Sequence, residues 1–175
     1  MPATVGALRT EPPLHFGMTI ALQLTHDEPR LVYLALVYHL GRPGSELDPE
    51  TKLPLARGLR DVKVALGGDI ESDAAVIELD GAQYRKLLSA IYGCVNELRV
   101  YHMRGGAGGT TERFNETARA LFPALGSDAA AALDVAEAMM MLRRRLERAV
   151  ERAAAEGGAA PEVRPGKRRF WRFGR

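Results

Sequence analysis

"TIALQLTHDEPRLVYLALVYHL", residues 19–40, is the stretch that decides the fold class of this chain. Its first residues alternate: Ile20, Leu22 and Leu24 are apolar while Thr19, Ala21 and Gln23 are small or polar, the period of a strand with one buried face. The period then changes. Thr25 and Glu28 have the spacing of a helix capping box, and Pro29 suits a first helical turn. Residues 31–40 are apolar on most sides, which predicts a buried central helix, and "GRPG" at 41–44 stops it.

The same grammar recurs downstream. "AVIEL" at 75–79 reads as a second strand, and Asp80 with Gln83 as a second cap pair. The helix that follows, to about Met103, carries Tyr84, Leu87, Leu88, Ile91, Val95 and Leu98 on one face. At an offset of about 55 residues Leu22 aligns with Ile77, Leu24 with Leu79, Arg30 with Arg85, Ala35 with Ala90 and Leu36 with Ile91. Duplication and shared strand-helix grammar both account for this, and the two strands can pair into a ribbon that needs helices over its apolar face.

Between the units, a helix is expected from about Pro54 to Leu66, with Leu55, Leu59, Val62 and Leu66 on its stripe, ended by "GGDIESD" at 67–73. After the glycine-rich connector 104–109, Thr110 or Thr111 should cap a helix carrying Phe114, Ala118, Leu121 and Phe122, which Pro123 and Gly126 end. Ser127 is read as the cap of the last and longest helix, to about Glu156. Along it Ala132, Val135, Met139, Leu142, Leu146, Ala149 and Ala153 fall at alternating spacings of three and four, a heptad seam. That seam either packs on the body or serves a homodimer, with Val135, Met139, Leu142 and Leu146 as its dimer contacts.

The fold class is therefore mainly α: a bundle of about five helices with a minor two-stranded β element, an α+β arrangement. Residues 1–17, rich in Pro and Gly, read as a disordered leader, with Met18 as an alternative start. Residues 18–157 form one helical domain, and residues 158–175 a flexible tether and tail.

Composition narrows the function classes. The 175 residues carry a net charge of +2, yet those from Glu162 onward hold six basic residues and one acid, so the body is mildly acidic. Arginine supplies 20 of the 24 basic residues, a bias of the kind a GC-rich genome produces, which lowers the weight of any single Arg. The lone cysteine, Cys94, excludes an internal disulfide and fits a reducing compartment. The longest apolar run, 31–38, is far short of the roughly 20 residues of a membrane span, and the first residues lack a secretory signal's apolar stretch. A cytoplasmic protein is expected.

Catalytic and metal-binding patterns are weak. His15, His26, His39 and His102 show no metal-ligand spacing. Asp69, Glu71, Asp73 and Asp80 match positions of a calcium loop, but Ala74 stands where the turn wants Gly, and Asp80 has work as a cap. "RGGAGGTTE" at 104–112 opens a helix without the lysine of a phosphate loop, and Cys94 reads as an inert core thiol. No cofactor, metal or catalytic residue is assigned.

The chain ends in "GKRRFWRFGR", residues 166–175. Wound as a helix, Phe170, Trp171 and Phe173 share an arc of about 160°, with Arg168, Arg169, Arg172 and Arg175 opposite and Lys167 intruding. This segregation suits an amphipathic segment that docks an anionic surface, and Lys167, Arg168, Arg169, Phe170, Trp171, Arg172 and Phe173 are its expected contacts. The inner membrane leaflet is the first partner expected, nucleic acid reached with the Arg143 to Arg152 stretch the second, and the chain's own body or a protein partner the third.

Overall fold

The computed structural model describes residues 19–48, 50–55, 57–105, 111–155 and 162–163. Strand β1 (Thr19–Thr25) leads into helix α1 (Glu28–Leu40), then α2 (Leu59–Gly67), strand β2 (Ala74–Asp80) and α3 (Gly81–Met103). Helix α4 (Glu112–Leu121), a single 3-10 turn (Pro123–Gly126), α5 (Ala131–Ala155) and the two-residue strand β3 (Glu162–Val163) complete it. The architecture is the mainly α, α+β one read from the sequence.

β1 and β2 pair antiparallel, with Ile20 opposite Leu79, Leu22 opposite Ile77 and Leu24 opposite Ala75. These six side chains point to one face and are buried, so alternation in both strands is cashed in on the same side. The aligned positions of the two strand-helix units match in burial too: Ala35 with Ala90 and Leu36 with Ile91 are enclosed. β3 adds a short parallel strand to the other edge of β1, opposite Ala21 and Leu22. Its two residues come from the stretch read as tether; an unpaired strand edge is a ready acceptor for them.

α1 is the central helix: Leu31, Val32, Leu34, Ala35, Leu36 and Val37 are all buried, and it packs on α2, α3 and α4. Gly93 lets α3 come close to it, because a Cβ there would stand 2.5 Å from the Tyr38 ring. That ring cannot swing freely. It meets Phe114 edge-on at 6.0 Å and lies under the Arg42 guanidinium at 5.8 Å.

The two caps are built differently. Asp80 accepts from the Ala82 and Gln83 amides while Gln83 Oε1 accepts from the Asp80 amide at 3.0 Å, a complete capping box. Thr25 instead stays in β1, paired with Ala74, and the α1 N-cap is Asp27, without a side-chain cap bond. His26, with φ of 56°, makes the turn between them. Half of the expected box survives: the Thr25 amide donates to Glu28 Oε2 at 2.9 Å.

Two boundaries are corrected, and the choice at a third is settled. The helix expected from Pro54 begins at Leu59, because residues 46–55 close into a turn in which Leu47 bridges Pro54. Asp48 Oδ1 takes the amides of Glu50 and Thr51 there, and a side chain that captures local amides competes with helix. Bonds from Thr51 hold the Asp48 carboxyl below its ordinary range. Thr111 rather than Thr110 caps α4, accepting from the Phe114 amide at 3.2 Å. α5 begins at Ala131, not after Ser127: the Ser127 hydroxyl donates back to the Ala124 carbonyl, and Asp128 Oδ1 accepts from the Ala130 amide.

Candidate interaction surfaces

The seven tail residues, Lys167 to Phe173, lie outside the described residues. The heptad seam does not. Val135, Met139, Leu142 and Leu146 are at most 3% exposed and belong to the single core cluster, with α3 the main neighbour of α5. The seam is therefore used within the chain, and these four residues offer no surface to a second copy. Small residues at Ala132, Ala136 and Ala149 allow the helix to lie close against the body.

The arginines of α5 diverge, as a step of about 100° per residue requires. Arg143 donates to Glu147 at 2.9 Å and stacks over the Tyr92 ring at 5.3 Å. Arg145 turns the other way, donating from Nη2 to Glu28 Oε2 at 2.7 Å and to the Gln23 carbonyl at 3.3 Å. It thereby ties the last helix to β1 and to the start of α1, across more than a hundred residues of chain. Both ends of this pair are largely shielded, so salt screens it little. Arg144 is exposed between them, and Arg148 and Arg152 continue its row along the helix.

Opposite the buried seam, α5 presents a second stripe. Leu133, Glu137, Met140 and Arg144 are spaced by four, three and four residues, and with Ala136, Met141 and Arg99 of α3 they line a half-open groove of about 390 Å³. Leu133 and Met141 are 42% and 45% exposed. Sequence inspection passed over this stripe because its Glu and Arg look like ordinary solvated positions; the signal present was the same heptad spacing, shifted around the helix.

A smaller cavity of about 200 Å³ sits where α3, α4 and the 3-10 turn meet. The Tyr101 hydroxyl donates to the Leu125 carbonyl at 3.0 Å, and Arg119 Nε donates to the same hydroxyl at 3.3 Å, which holds the guanidinium more firmly protonated. His102 Nδ1 lies 3.2 Å from the Ala129 carbonyl nearby. These bonds fasten the α3–α5 connection; every polar atom named is occupied with structure.

The remaining chemistry-bearing side chains are placed as follows. His39 Nε2 is 3.0 Å from Glu46 Oε1, a largely shielded pair closing the loop after α1. The calcium-like segment is a turn followed by β2, so its acids do not converge, and no group of three metal-ligating side chains exists among the described residues. Cys94 is wholly enclosed in α3, and burial pushes its thiol well above the ordinary range. No helix among the described residues is long and apolar enough to cross a membrane. No family model, curated protein or solved structure matches this chain.

Proposed function

We propose that this chain is a non-enzymatic cytoplasmic interaction protein whose carboxy-terminal segment docks an anionic surface, the inner leaflet of the membrane first. The observation that carries this reading is the sorting of Phe170, Trp171 and Phe173 away from Arg168, Arg169 and Arg172 in a segment that reverses the charge of a mildly acidic body. Partial burial of each ring contributes about 1–2 kcal/mol and each cation near anionic lipid about 1 kcal/mol. Ordering the segment costs about 1–2 kcal/mol per residue, so docking is reversible.

Co-sedimentation with phosphatidylglycerol vesicles and with neutral phosphatidylcholine vesicles tests it. Binding to the anionic vesicles alone, with a blue shift of Trp171 emission, is expected of the parent chain, and both should be lost when Phe170 and Phe173 are replaced with Ser, which keeps Trp171 as the reporter. Trp171 is the single tryptophan of the sequence, so the emission reports this site. Unshifted emission together with unchanged sedimentation overturns the reading.

A second reading, a nucleic-acid-associated regulator, is supported by the exposed row Arg144, Arg148 and Arg152, spaced four residues apart on α5. It expects a gel shift with single- or double-stranded DNA that weakens when these arginines are replaced by Glu.

A further inference from the structure

The outer stripe of α5 carries charges that pair with no opposite charge among the described residues. Arg143 and Arg145 each have an acid within the molecule. Glu137 and Arg144 have no ion-pair partner among the described residues, although both border the groove. Seven residues apart, they sit on the same side of the helix about 10 Å from each other, with Met140 and Met141 midway. We propose that this stripe is the face through which two copies of the chain associate, α5 against α5 in antiparallel sense.

The arrangement is self-complementary in one orientation. A two-fold axis between Met140 and Met141 sets Glu137 of each copy opposite Arg144 of the other, twice over, with the four methionines between them. Parallel packing would place Glu137 on Glu137 and Arg144 on Arg144. Leu133 then lies along the aliphatic stem of Arg148 of the other copy, and flexible thioethers fill an uneven groove. The chain's own tail is a poorer occupant by charge: Lys167, Arg168, Arg169 and Arg172 would meet Arg99 and Arg144. One helix pair is a small interface, so the dimer should dissociate on dilution. This inference is independent of what the tail binds; if the tail does dock on a surface, pairing two tails strengthens that docking.

Sedimentation velocity of the full chain over a dilution series tests the proposal. A monomer–dimer equilibrium is expected, weakened by about tenfold or more in Glu137→Arg and in Arg144→Glu, where like charges now face each other. The double variant, with both charges exchanged, should recover dimerisation, which neither misfolding nor a general charge effect would produce. Circular dichroism confirms that each variant is folded. A monomer at every concentration up to about 100 µM, well above typical specific affinities, overturns the proposal. So does a dimer indifferent to both single exchanges, or a monomer whose Trp171 emission shifts to the red on Met141→Glu, which would seat the tail in the groove.

Discussion

The inner and outer stripes of α5 have the same spacing of three and four residues, yet they have different fates. Val135, Met139, Leu142 and Leu146 are enclosed against α3, whereas Leu133, Met140 and Met141 share their stripe with Glu137 and Arg144 and stay partly open. What separates them is the unbroken apolar character of the inner stripe. A stripe without a charge can be removed from water along its whole length, and the body takes it first. The stripe with one acid and one base can be covered only by a surface that supplies their partners.

Breaking the inner face should cost most. Leu146→Ala removes a fully enclosed side chain and is expected to lower unfolding free energy by about 2–5 kcal/mol in urea denaturation, the range for buried Leu truncations. A loss below about 1 kcal/mol would mean that this face is looser than its burial indicates.

Next comes the flank. Glu28→Ala strips the acceptor from both the shielded Arg145 guanidinium and the Thr25 amide, and should cost about 1–3 kcal/mol. Added salt should leave this difference nearly unchanged, whereas Arg143→Ala, on a half-exposed pair within one helix, should cost no more than about 1 kcal/mol.

A smaller effect, of the opposite sign, is expected beneath the same helix. The Tyr84 hydroxyl is buried without a hydrogen-bond partner among the described residues, so Tyr84→Phe removes an unsatisfied group and should be neutral or stabilising by up to about 1 kcal/mol. Burial, reinforced by Glu147 and Glu151, pushes this phenol above its ordinary value. The folded chain then keeps the proton that the unfolded chain releases above about pH 10, so stability falls as pH rises beyond that point. Ultraviolet titration should show Tyr84 ionising only with unfolding, and the Phe variant should lose this part of the alkaline slope.

The smallest effect belongs to the outer stripe. Met141→Ser should change monomer stability by less than about 0.5 kcal/mol, while weakening association of two copies. A large stability loss there would erase the contrast between the faces.

Much of this molecule was legible in its residues. The alternation of Ile20, Leu22 and Leu24 placed β1, the all-round apolar character of residues 31–38 placed α1 at the centre, and Asp80 with Gln83 marked a cap that forms in full. The failures have local causes. Thr25 and Glu28 had the spacing of the same cap, but β-pairing to Ala74 holds Thr25 extended, and Glu28 is drawn to an arginine distant in sequence. Pro54 looked like a helix start; the side chain of Asp48, six residues earlier, had already committed that backbone to a turn. The groove was missed for a related reason: whether Glu137 and Arg144 find partners depends on side chains distant in sequence, and among the described residues neither has an ion-pair partner.

Composition and periodicity by themselves determined the number of helices and the one-sided ribbon, because these are set by residues a few positions apart whose geometry is fixed by the backbone. Tertiary structure alone decided which stripe of α5 joins the core and where Arg145 finds its acid. Those outcomes depend on competition between elements for the same apolar area, and no local spacing records who wins.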